Sequence, residues 1–129
     1  MDRIERNKQN VIAFYDLMFN QNKPREAIDK YVGATYIQHN PEVKDGKHGF
    51  IEYFEKLAKE YPGKWVKVRR VIAEGDFVVL HCESEFPGFR KPRWAGIDIF
   101  RLDGQGRIVE HWDVLQAVSE STKNSNGMF

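Results

Sequence analysis

The sequence predicts an α+β fold in which a strongly curved antiparallel sheet wraps around N-terminal helices. Three observations carry this reading. In the first sixty positions apolar residues recur at spacings of three, four and seven, the period of amphipathic helices. From Trp65 onward they fall into β-branched and aromatic runs broken by glycine-containing turns. Helices therefore come first and strands last, the order of an α+β domain rather than of repeating strand–helix units.

Taken in order, Ile4, Val11, Phe14, Tyr15 and Met18 mark one face of a first helix from Asp2 to about Gln21. Asn22 and Lys23 interrupt it. Pro24 suits the first position of a shorter second helix through Tyr31, which Gly33 ends. Thr35, Tyr36 and Ile37 favour a short strand, and Pro41 keeps Asn40 extended. In this strand Tyr36, Gln38 and Asn40 alternate with Ile37 and His39. After a polar loop from Glu42 to Gly49, Phe50, Phe54, Leu57 and Tyr61 define a third helix that Pro62-Gly63 stops. Trp65–Ala73 and Phe77–Phe86 read as a hairpin around Glu74-Gly75-Asp76, and Val78, Leu80, Cys82 and Ser84 form its more apolar face. Residues 1–118 are expected to form one domain and 119–129 a polar tail, either mobile or docked by Met128 and Phe129.

The last hairpin, Trp94–Ala117, turns at Asp103-Gly104-Gln105-Gly106 and holds a conflict. Alternation puts Trp94, Gly96, Asp98, Phe100 and Leu102 on one face of its first strand. On the second, Val109, His111, Asp113, Leu115 and Ala117 share a face. Ionisable side chains thus sit among apolar ones, a cost usually kept for function. Packing or backbone bonding is the competing explanation for either aspartate taken alone.

Composition narrows the function. A chain of 129 residues suits one domain with one core and one cavity. Lysine and arginine number 20 against 19 acidic residues, so a net charge of +1 supplies no attraction to nucleic acid or an anionic membrane. The single cysteine, Cys82, excludes an internal disulfide framework. The N-terminus has no signal-peptide pattern, and a cytoplasmic protein is expected.

The run GIDIFRLDGQGRIVEHWDV (Gly96–Val114), with YIQHNP (Tyr36–Pro41) and HGFIEYF (His48–Phe54), resembles the SnoaL-like polyketide cyclase branch of the nuclear transport factor 2-like superfamily. It is more distantly similar to ketosteroid isomerase. The resemblance implies a conical fold and a small cofactor-independent enzyme using acid/base chemistry on an apolar carbonyl compound, as an aldol-type cyclase or isomerase. It implies Asp113 as acid/base and Asp98 as a protonated donor to a developing oxyanion, a form that burial of a carboxyl favours. The isomerase's basic aspartate corresponds here to Asn40, and an amide cannot serve as base. His39 and Asp113 are the replacements, with His111 or His81 as further donors.

The candidate catalytic residues are therefore Asp113, Asp98, His111 and His39. Tyr15, Tyr36, Asn40, His81, Trp94, Phe100 and Leu115 are expected to line the pocket, His81 by the resemblance. No cofactor or metal is expected, although His39, His81 and His111 with the two aspartates could collect around a divalent ion. Trp112, on the opposite parity to Asp113, suggests a homodimer interface. The alternative from another class is a non-catalytic module that binds a small ligand or a protein.

Overall fold

The computed structural model describes residues 1–129. Helix α1, Arg3–Tyr15, starts at an Asp2 cap whose carboxylate accepts from the Glu5 amide at 2.8 Å. Its buried face carries Asn7, Val11 and Phe14. Beyond Tyr15 the helix widens into a π-helical turn, Asp16–Asn20, closed by Gln21 N donating to Asp16 O at 3.0 Å. The turn brings Asn20 against the first long strand, where its side chain bonds both the amide and the carbonyl of Val66. Helix α2 spans Pro24–Tyr31 and passes directly into β1, Val32–Gln38.

Helix α3, Gly46–Glu60, begins a few residues before the expected start at Phe50. Gly49 permits this. A Cβ there would lie 2.2 Å from the Lys44 carbonyl oxygen, so only glycine admits the approach of the preceding loop. Strands β2 (Trp65–Glu74), β3 (Phe77–Glu85), β4 (Arg93–Leu102) and β5 (Ile108–Ala117) follow as expected to within a residue or two.

The sheet runs β1-β5-β4-β3-β2. Neighbours from β5 to β2 are antiparallel, but β1 is parallel to β5, so the sheet is mixed rather than wholly antiparallel. Everything between β1 and β5 in sequence, including α3, forms the long crossover that a parallel pair requires.

The helices cover the inner face. Phe14 packs on Phe50 at 5.6 Å and Phe100 at 6.1 Å between ring centres, and Val78, Leu80 and Cys82 complete the floor. A register shift between Arg101 and Leu102 lets both Ile108 and Val109 be buried. The β4–β5 turn is pinned to α1: Gly106 has φ 80°, and its carbonyl accepts from Asn10 Nδ2 at 2.9 Å. No helix is long and apolar enough to cross a membrane.

Candidate functional site

Strand register assembles the site. Asp98 on β4 lies directly opposite Asp113 on β5, Phe100 opposite His111, and Gln38 on β1 pairs with His111 from the other side. Alternation then turns Asp98, His111, Asp113 and Gln38 toward the same inner face.

Asp98 is 1 % exposed, and both of its oxygens are engaged. Oδ1 lies 2.9 Å from His111 Nε2, and Oδ2 accepts from the Tyr15 hydroxyl at 3.4 Å. Tyr15 is held well above the ordinary phenol range, first by burial and then by the Asp98 charge, so it remains a donor. Asp98 is thus a partnered group rather than an acid free to meet a substrate, because α1 brings a phenol onto it. His111 Nδ1 faces Gln38 Oε1 at 2.9 Å. That oxygen also accepts from the His39 and Asn40 amides, each at 3.0 Å, so it is fixed as an acceptor and Nδ1 carries a proton. His111 Nε2 therefore shares its line with Asp98. Phe100 supports the ring from below at 4.8 Å.

Asp113 is the less committed carboxylate. Asn40 Nδ2 spans its two oxygens at 3.0 and 3.1 Å, and Asn40 cannot turn over because its Oδ1 accepts from the Glu42 amide at 2.8 Å. The nearest basic side-chain nitrogen is His111 Nε2, 4.0 Å from Oδ2. Burial is the largest influence and pushes the Asp113 carboxyl above its usual range, against the lowering effects of His111 and the Asn40 bond. Asn40, just beyond the end of β1, thus clamps a carboxylate on β5.

Tyr36 is buried, and its oxygen accepts from Gln38 Nε2 at 2.8 Å. Trp94 shares the inner parity but lies at the strand's far end, donating from Nε1 to the Lys91 carbonyl at 2.7 Å. Leu115 is 50 % exposed and lies over Gly96 at the open end.

Two expected site residues lie on the other face of the sheet. His39 stacks on Trp112 at 4.8 Å, with rings 3° from parallel, and bonds Glu110 Oε2 at 2.8 Å. It alternates away from Gln38 and Asn40, so it meets neither aspartate of the cluster. His81 contacts the Arg70 guanidinium and the Phe129 ring instead of the inner cluster. Leu80 and Cys82 take the inner positions on β3, as the apolar pattern indicates and against the implication of the resemblance.

Gln38 and Tyr53 were absent from the expected set. Gln38 has the parity of Tyr36 and Asn40, a signal present in the sequence, but its pairing with His111 is a long-range fact. The Tyr53 phenol, on α3, is pushed up by burial and then by Glu42 and Asp113, which places it within the electrostatic reach of the site. The Cys82 thiol is also pushed up, chiefly by burial, and behaves as packing.

Asp98, His111 and Asp113 each offer one ligand-capable atom within 4.8 Å of the others, the set that could hold a divalent ion. An ion there would have to displace the His111–Asp98 bond. A surface cleft of about 860 Å³ between α2 and α3 lies elsewhere and is lined by charged groups such as Arg25 and Glu55.

Helices packed into a curved mixed sheet, with the polar cluster on its inner face, define a nuclear transport factor 2-like fold. Residues 11–111 match the model of the SnoaL-like domain, and the chain belongs to that family. Among solved structures it is similar to TsrD from Streptomyces laurentii, with 22 % identity, 89 % of this chain and 90 % of that one covered, and a TM-score of 0.71. A candidate polyketide cyclase from Acidithiobacillus ferrooxidans gives 23 % identity, 89 % and 91 % coverage and a TM-score of 0.71. AclR, a candidate hydroxylase from Streptomyces galilaeus, gives 19 %, 88 % and 90 %, and 0.71. At these identities the likeness establishes the fold and leaves the reaction open. The sequence has no significant match among curated proteins.

Proposed function

We propose that the protein is an acid/base enzyme acting on an enolisable, largely apolar carbonyl compound, as an aldol-type cyclase or isomerase, with Asp113 as base. The observation that carries this reading is the unequal treatment of two facing carboxylates. Asp98 spends both oxygens on Tyr15 and His111, whereas Asp113 is held by one neutral amide and raised toward a useful basicity. Removing a proton alpha to a carbonyl places one proton on Asp113 and negative charge on the carbonyl oxygen, which protonated neighbours can stabilise.

The test is proton exchange. Wild-type protein incubated in D₂O with a panel of 1,3-diketones and aromatic β-ketoesters should accelerate deuterium entry at the acidic carbon. Asp113→Asn should lose ~10²–10⁴-fold of that acceleration, the usual contribution of a positioned acid or base. Exchange that survives in Asp113→Asn contradicts the assignment. Exchange absent from wild type, with a ligand bound equally by both proteins, favours the non-catalytic binding module.

A second copy of the chain is the partner that the outer face of the sheet supports. Ile72, Ile97 and Val114 leave an apolar surface there beside Trp112, and Val114 is 75 % exposed.

A further inference from the structure

The buried Tyr36 hydroxyl has a proton with nowhere to go in the protein. Its oxygen is an acceptor from Gln38 Nε2 at 2.8 Å, and the amide cannot be reversed. Gln38 Oε1 is held by His111 Nδ1 at 2.9 Å and by the His39 and Asn40 amides at 3.0 Å, leaving only the NH₂ end to face Tyr36. No protein acceptor lies within hydrogen-bond distance of the Tyr36 proton, although the residue is only 6 % exposed. Buried hydroxyl protons are normally satisfied, and one kept free on the same face as the acid/base cluster calls for an external acceptor.

The neighbouring phenol is different. Tyr15 gives its proton to Asp98. Of the two tyrosines, only Tyr36 can donate to a ligand without breaking a bond inside the protein. Donors also run in one direction through the network: His111 Nδ1 gives to Gln38, and Gln38 gives to Tyr36. Positive charge developing on His111 would polarise the amide and strengthen the outward donation from Tyr36. Burial is the main reason that the Tyr36 phenol keeps its proton, and the charges of Asp113 and then Asp98 add to it.

We propose that Tyr36 donates the hydrogen bond to the substrate oxygen on which negative charge develops, with Gln38 as the positioning residue that ties it to His111. This rests on the acid/base reading of Asp113. The substrate is then a compound whose acidic C–H can face Asp113 while its carbonyl oxygen meets Tyr36. In the step, Asp113 takes the proton from carbon, the C–H electron pair becomes the enolate C=C bond, and the carbonyl π pair moves onto oxygen. The Tyr36 proton remains on the phenol throughout.

The probe is 4-nitrophenol and its fluorinated relatives, whose phenolate absorbance reports an oxyanion in the site. Wild type should bind the phenolate. Tyr36→Phe should weaken it by about tenfold or more, as expected for loss of a hydrogen bond to a charged group. Tyr31→Phe, outside the cluster, should leave it unchanged. Gln38→Met should weaken binding and also move the ¹⁵N ring signals of His111 away from the Nδ1–H form, a change that a purely structural role would not produce. If Tyr36→Phe fails to fold, the Tyr36 ¹³Cζ resonance of wild type should shift on phenolate binding, and an unmoved resonance overturns the proposal. Phenolate binding unaffected by Tyr36→Phe, or absent from wild type, likewise overturns it. Deuterium exchange dependent on Asp113 would survive those results, so the two readings fail separately.

Discussion

Burial lifts the Asp113 carboxyl above the ordinary carboxylate range, so the folded chain holds this proton more tightly than the unfolded chain. The group's stabilising contribution is complete below the unfolded value of ~3.9 and declines as pH rises through the higher folded value. At pH 7 the group therefore stabilises the fold less than it does in acid. Asp113→Asn should melt at a higher temperature than wild type at pH 7, with the difference shrinking toward pH 3.5. A lower melting temperature at pH 7 would show that the carboxylate serves the fold instead. The alternation that puts Asp98, His111 and Asp113 on apolar faces was legible in the sequence because it is local. The same alternation separates His39 from Tyr36, Gln38 and Asn40, and choosing His39 for its adjacency to Asn40 ignores it. The Gln38–His111 contact joins residues 73 apart in the chain, and no local pattern encodes it.

At the scale of elements, α1 carries the core through Phe14, which is 1 % exposed between Phe50 and Phe100. Phe14→Ala should cost ~3–5 kcal/mol, read by denaturant unfolding, and a loss under 1 kcal/mol would mean that the site collapses around the smaller side chain. The π-helical turn after α1 is secured by Lys64, whose ammonium meets Phe19 O at 2.5 Å, Asn22 Oδ1 at 2.6 Å and the Phe19 ring face at 4.2 Å. No carboxylate joins them, and burial pushes this lysine down to about 8. Between about pH 8 and the ordinary lysine range of ~10.4, the unfolded chain keeps a proton that the folded chain has released, so this group makes stability rise with pH. Urea unfolding across that window should show a rise that Lys64→Met removes, and an identical slope in both proteins would contradict it. Helix lengths and turns follow from spacing, glycine and proline, and so were readable. The parallel direction of β1 was not, because strand partners are chosen through the crossover rather than within the strand.

For the whole molecule, the curved sheet has two chemically unlike surfaces. The inner face gathers the ionisable cluster, and the outer face presents Ile72, Ile97 and Val114 with little cover beyond Phe129, whose ring stacks on His81 at 5.8 Å and lies 5.4 Å from the Arg69 guanidinium carbon. If a second copy covers this face, Val114→Glu should convert a dimer to a monomer in sedimentation velocity. A wild-type monomer at high micromolar concentration would remove the proposed interface. The class of fold was legible because helix and strand periods occupy separate parts of the chain. The direction in which His81 points was not, since a curved sheet leaves both faces partly apolar and only β3's pairing with β4 decides between them. The most direct measurement of the central claim is the pH–rate profile of deuterium exchange into a 1,3-diketone. The expected profile rises with pH through a single ionisation above the ordinary aspartate value, and that rise disappears in Asp113→Asn. A profile that is flat, or unchanged by the substitution, would contradict Asp113 as the base.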